Sequence, residues 1–371
     1  MGRGDDAAPG LAMTSTTTSA APAPMEAHGA YNRNTGVHAA GSSPAIPLFE
    51  EAARRVALAD APEPVTIADY GASEGHTSLQ PLSAAIRALR ERIGADRAVS
   101  VVHTDLPSDD FGVLFEMLEN NPASYLRGDP ACFASAVGRS FYRQILPASS
   151  VTLGWSSWAV QWLSRTPCPI PDQVQIAYSR DPAAHAAFAR QAAADWASFL
   201  TYRGAELRPG GRLVVLTMAL TDEGEFGYRP VLKAMYVSLL ALVSAGLVRP
   251  EEARRMAIPT VARSREQFLA PFAATGAFAG LSVEHAEVFR GEDPIWTDFQ
   301  RDGDTISYGA RWAAFSRATV LPTLALALED GAGDPRRDDF IARMEEGMAA
   351  RLAARPEPML IPLAALMLAK G

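Results

Sequence analysis

A doubly wound, mostly parallel α/β sheet is the fold this chain predicts, on three observations. Residues 65–79, VTIADYGASEGHTSL, read as an apolar strand, an acidic residue, a glycine-bracketed turn and a helix start. About 30 residues later a second strand, VSVVHTDLP (99–107), again ends in an acidic residue, which completes a βαβ unit. Further on, RLVVLTMAL (212–220) is the continuous apolar run of a central parallel strand.

The remaining elements follow in chain order. Residues 1–28 are rich in Ala, Thr, Ser and Pro with almost no large apolar side chains, and are expected to be a disordered tail. A single domain is expected over 29–371. SPAIPLFEEAARRVALA (43–59) and LQPLSAAIRALRERIG (79–94) repeat apolar residues at helical spacing, and DDFGVLFEMLENN (109–121) is a third amphipathic helix. SSVTLGWSSWAVQWLS (149–164) reads as a buried strand running into an aromatic-rich turn or helix. A long helix over 181–207 ends at Pro209-Gly210-Gly211, ahead of the 212–220 strand. Residues 228–345 are expected to form a mainly helical cap on the sheet. MLIPLAALMLAK (359–370) is too short to span a membrane and is expected to be a final core strand.

Composition removes several function classes. The net charge is −8 with no long Lys/Arg run, which argues against a nucleic-acid partner. No apolar run reaches membrane-spanning length, so no membrane partner is expected. Cys132 and Cys168 have neither metal-ligand nor disulfide-framework spacing, and a reduced, cytoplasmic setting is the simplest expectation.

The turn after the first strand is Gly71-Ala72-Ser73-Glu74-Gly75. A dinucleotide fingerprint needs three glycines, and Glu74 would bring negative charge to the pyrophosphate position. S-adenosylmethionine carries no phosphate, and its cationic end tolerates carboxylates. Asp69 is then placed for the donor's amino-acid end, directly or through water, and Asp105 for its ribose hydroxyls. Asp105 also reads as a strand-end or N-cap residue ahead of Pro107, and an NAD-dependent oxidoreductase is the disfavoured rival.

Five co-linear segments sharpen this reading: YNRNTGVH (31–38), the turn itself, TDLPSDDF (104–111), VGRSFYRQILP (137–147) and SSWAVQWLS (156–164). In order and spacing the chain resembles the SABATH family of salicylate, benzoate and theobromine carboxyl methyltransferases, from Tyr31 to Arg317-Ala318. The resemblance implies a Rossmann-like class I methyltransferase fold, an S-adenosylmethionine cofactor, a small-molecule carboxylic acid as acceptor, and a homodimer. It places Tyr31 and Thr35 on the donor, Asp69, Gly71 and Ala72 in the donor turn, and Asp105 on the ribose with Leu106 against the adenine. Ser140 and Phe141 wall the adenosine. Trp158, Gln161 and Trp162 line the acceptor pocket. Without that context, a Trp-x-x-x-Trp pair is more often core packing.

The chain departs from the family's pattern at several positions. His38 stands where the family has a Gln that donates to the substrate carboxylate. An imidazole there can also donate and, when protonated, adds a pH-dependent charge. Arg254 and Ala257 replace the Asp and Asn of a family metal-binding signature, so no metal is expected. The resulting expectation is methyl-ester formation on a small carboxylic acid, with His38 and Trp162 orienting the carboxylate. The alternative is N-methylation of a small heterocycle.

Overall fold

The computed structural model describes residues 36–371. The tail expected over 1–28 and the candidate site residues Tyr31 and Thr35 lie outside the described residues.

Two short helices, α1 (Gly36–Ser42) and α2 (Ile46–Arg55), lead into the sheet. Then β1 (Val65–Tyr70), α3 (Leu79–Ile93), β2 (Val99–Asp105), α4 (Phe111–Asn120) and β3 (Cys132–Gly138) alternate. After β4 (Val151–Ser157) the long α5 (Pro182–Glu206) runs directly into β5 (Leu207–Met218). The helices α6 (Arg229–Ser244), α7 (Pro250–Ala253) and α8 (Arg265–Leu269) precede β6 (Ala277–Phe278) and β7 (Leu281–Arg290). Helices α9 (Pro294–Asp302), α10 (Thr305–Thr319), α11 (Leu321–Ala325) and α12 (Arg337–Ala354) come before the last strand, β8 (Pro362–Lys370).

Among the described residues, eight strands form one sheet in the order β3-β2-β1-β4-β5-β8-β7-β6. The first five are parallel, and β8 lies antiparallel between β5 and β7. The chain winds outward from β1 in both directions, so the switch point lies between β1 and β4. A crevice opens there at the carboxyl ends of the strands. Every residue of β4 is buried, as expected of a strand covered on both faces. Along β5, Val214 and Leu216 face one core with α6, α10 and α12, while Leu213 and Val215 face another with α5. These helices therefore share the core of the sheet.

One segment adds to the sequence expectation and one differs from it. The span 228–345, mainly helical as expected, also supplies β7, which joins the sheet beside β8. Its sequence, LSVEHAEVFR, is only half buried, so it lacks the continuous apolar run that marks a central strand. Pro209-Gly210-Gly211 lies inside β5 instead of ahead of it. Gly210 has φ +75, and a Cβ there would sit 2.4 Å from the Ala57 Cβ. The register between β4 and β5 slips at this point.

A buried ion pair ties the sheet to the loop after β3. The Glu206 carboxylate accepts hydrogen bonds from the Tyr70 hydroxyl at 2.8 Å, from Arg203 at 2.8 Å and from the Leu146 N–H at 3.1 Å. Arg203 donates onward to the Phe141 and Arg143 carbonyls, each at 2.9 Å, so the loop carrying Ser140 and Phe141 is held from below. Glu206→Ala strands the fully buried Arg203 charge and is expected to cost about 3–5 kcal/mol of stability. Urea denaturation measures this, and a loss below about 1 kcal/mol, the value of a surface pair, contradicts it.

Candidate active site

The crevice at the switch point is a cleft of ≈ 660 Å³, in scale with a ligand site. Gly71, Asp105, Leu106, Ser140 and Phe141 all line it, so five of the expected donor-site residues converge. Gly71 has φ +88, and a Cβ there would lie 2.3 Å from the Ala159 Cβ, so only glycine fits. The Gly71 and Ala72 N–H groups both donate to the Thr104 carbonyl, at 2.9 and 3.0 Å, which staples the turn to β2. Asp105 accepts from the Ser73 N–H at 2.8 Å and from the Leu106 N–H at 2.7 Å.

Asp69 and Ala72 are buried behind the cleft wall. The Asp69 carboxylate is bonded to His103 Nδ1 at 2.8 Å, and His103 Nε2 meets the Tyr125 hydroxyl at 2.8 Å. Sequence reasoning missed this chain. The available signal was a histidine inside a buried strand, which needs polar partners.

Negative charge gathers beside the cleft. Burial pushes the Asp109 carboxyl up to about 8, helped by the adjacent Asp105 charge, their shared hydrogen bond and Glu74. Burial also raises Asp105, against the opposing effect of its N–H donors. At neutral pH the pair therefore holds a proton.

A second, smaller cavity of ≈ 80 Å³ adjoins the cleft, and Trp158 and Trp162 line both. After β4 the chain turns at Trp158, which has φ +55. Its indole N–H donates to the His38 carbonyl at 3.0 Å and to Ser42 Oγ at 3.1 Å, which anchors α1 over the end of β4. The His38 ring lies 4.5 Å from the Trp158 ring and 5.0 Å from Phe315.

Two expectations for this cavity change. Burial holds the His38 imidazole down at about 3, so it is neutral at physiological pH and contributes no pH-dependent charge. Gln161 lines the cavity, but its amide braces the wall. It donates to the Trp158 carbonyl at 2.6 Å and accepts from Thr217 at 2.9 Å. The Trp162 indole N–H has no hydrogen-bond partner among the described residues. Tyr228, on the same cavity, was missed because nothing in GYRP distinguishes it from an ordinary helix entry.

A larger cavity, ≈ 750 Å³, lies between α3 and residues 121–129. It shares no lining residue with either of the others, and Arg90 on its wall is already paired with Asp129. Arg254 is exposed and Ala257 buried.

A family model described as SAM dependent carboxyl methyltransferase matches residues 25–363. An indole-3-acetate O-methyltransferase of Arabidopsis thaliana is 27% identical over 316 residues, covering 78% of this chain and 81% of that protein. An anthranilate O-methyltransferase of Zea mays is 27% identical over 349 residues, covering 87% and 90%. The solved structure of a loganic acid methyltransferase with SAH shares the fold, with a TM-score of 0.74 at 20% identity over 94% of this chain and 98% of that one.

The Asp109 proton has a measurable consequence. An unfolded aspartate titrates near 4, so stability from this group is complete below about pH 4 and is lost as pH rises toward about 8. Asp109→Asn keeps a donor to Asp105 without a titrating proton. Its stability relative to the parent is expected to rise steadily from about pH 4 to pH 8 and then level off. Denaturant midpoints across that range check it, and a difference that does not change with pH rules it out.

Proposed function

The chain belongs to the SAM-dependent carboxyl methyltransferase family, and from that premise we propose that it forms the methyl ester of a small carboxylic acid held where its two cavities meet. The observation that carries the proposal is that Trp158 and Trp162 line both cavities. A donor in the cleft and an acceptor in the small cavity would then face each other across the tryptophan pair.

The cleft suits S-adenosylmethionine. The two oxygens of Asp105 offer about four acceptor sites. The Ser73 and Leu106 N–H groups use two, and the Asp109 carboxyl competes with ribose hydroxyls for the rest. Leu106 and Phe141 supply apolar walls, Ser140 a polar contact, and Gly71 the close backbone approach. Glu74, Asp105 and Asp109 together favour a cationic ligand over a phosphate. Asp69 and Ala72 act from behind the wall, Asp69 on the amino-acid end through water. Tyr31 and Thr35 complete the donor contacts in this proposal.

Bound S-adenosylmethionine supplies an electrophilic methyl group. The protein's own task is to position the acceptor. A carboxylic acid of ordinary pKa is ionised at neutral pH, so no general base is needed. The Trp162 N–H and the neutral His38 imidazole orient the carboxylate, and Trp158, braced by Gln161, forms the wall against which it lies in line with the methyl group. The carboxyl reading, not transfer to a ring nitrogen, is the one the family supports. The resemblance carries a homodimer into the proposal, and the two free cysteines fit a reduced, cytoplasmic setting.

Incubation with labelled methyl donor and a panel of aromatic, indolic and aliphatic acids is expected to yield methyl esters. Labelled amine products alone, or no ester from any acid, would contradict the proposal. Trp162→Phe removes the donor N–H and is expected to lower kcat/KM roughly 10–100-fold with S-adenosylhomocysteine affinity unchanged. Because His38 stays neutral, the pH profile of kcat/KM is expected to show no limb near pH 6.5, the ordinary histidine value. A limb there that His38→Gln abolishes would refute neutrality.

A further inference from the structure

Tyr228 caps the start of α6 under two unusual conditions. Its backbone has φ +56, an outlier for a bulky aromatic residue. The turn is pressed onto the chain leading into β8: the Tyr228 N–H donates to the Leu360 carbonyl at 3.1 Å, and a Cβ on Gly227 would meet that same oxygen at 2.2 Å. The side chain is 6% exposed, with the Phe226 ring at 6.4 Å and the Trp312 ring at 6.2 Å. Its hydroxyl has no hydrogen-bond partner among the described residues. Burying a hydroxyl unpaired opposes folding, and a ligand that accepts from it recovers the loss.

Its location identifies the ligand. Tyr228 lines the small cavity but not the cleft, whereas Trp158 and Trp162 line both. The methyl group arrives from the cleft, so the reacting carboxylate belongs at the tryptophans and Tyr228 meets a different part of the acceptor. Val231, Leu232, Met235 and Ile258 make the neighbouring wall apolar. The cavity, ≈ 80 Å³, is smaller than the roughly 150 Å³ void that accommodates benzene, so it holds only the distal part of an acid whose carboxyl end lies at the tryptophans shared with the cleft.

We infer that Tyr228 is a specificity residue: its O–H donates to a hydrogen-bond acceptor on the substrate, remote from the carboxyl group being methylated. The favoured substrates are then compact acids of one ring or a short chain that carry a distal hydroxyl, ether or carbonyl oxygen, in preference to plain hydrocarbon acids. The inference rests on reading the small cavity as the acceptor pocket. Burial, with Asp293 nearby, raises the phenol above its ordinary pKa, so it remains a donor across the working pH range.

The test compares matched acids, 4-hydroxybenzoate with benzoate and 4-oxopentanoate with pentanoate, on the parent and on Tyr228→Phe. The parent is expected to prefer at least one oxygenated acid by roughly 10–100-fold in kcat/KM. The variant is expected to lose that preference, its kcat/KM falling further on the oxygenated acid than on the plain partner, and its unliganded Tm is expected to rise or hold. Calorimetric binding of the same pairs with S-adenosylhomocysteine present reads the preference without turnover. Intact discrimination without ester formation would therefore sink the carboxyl reading and leave the role of Tyr228 standing. The inference is overturned by a parent without preference in binding or turnover, by an equal loss on both members of each pair, or by a lower Tm in the variant. A lower Tm would mean the hydroxyl serves the fold.

Discussion

The site depends on how the chain leaves β4. Trp158 turns there in a left-handed backbone conformation, and its indole N–H bonds the His38 carbonyl and Ser42. That contact brings an N-terminal helix over the carboxyl end of a central strand about 120 residues away in sequence, where the helix closes the small cavity and the indole divides it from the cleft. Gln161 supports the Trp158 carbonyl, and Thr217 on β5 supports Gln161. A strained turn persists only where its surroundings over-determine it. Here the sheet, α1 and the 158–162 segment all do so.

Electrostatics divide the two cavities. On the cleft side, Asp105, Asp109 and Glu74 concentrate negative charge, partly relieved by a shared proton. Around the small cavity, the donors named above are neutral: the Trp162 and Tyr228 N–H and O–H groups and an imidazole held uncharged by burial. On the proposed reading this suits the reaction, in which a cationic donor meets acids and an anionic acceptor meets neutral hydrogen-bond donors. A protonated histidine in the acceptor pocket would bind the carboxylate more tightly and lower its nucleophilicity. A neutral one orients it at less cost to reactivity.

Much of this was legible in the sequence because local patterns dictate it. The strand–turn–helix at Asp69–Gly75 and the acidic end of β2 put Gly71, Asp105 and Leu106 on one cleft, and glycine at 71 follows from the space beside Ala159. The unread features depend on tertiary context. β7 is a half-buried strand whose pattern resembles any amphipathic segment until β8 pairs with it. The neutrality of His38 follows from the rings packed around it, and the Asp69–His103–Tyr125 chain links residues on three separate segments. Tyr228 became notable only because its hydroxyl is buried without a partner, a property no sequence pattern encodes.

The central claim is that donor and acid meet across the tryptophan pair. A crystal structure with S-adenosylhomocysteine and a bound carboxylic acid tests it most directly. The account predicts ribose hydroxyls on Asp105 and a carboxylate oxygen bonded to the Trp162 indole, within roughly 3–3.5 Å of where the methyl carbon would lie. An acid seated in the cavity between α3 and residues 121–129, or one whose carboxylate points away from the cofactor sulfur, would contradict it.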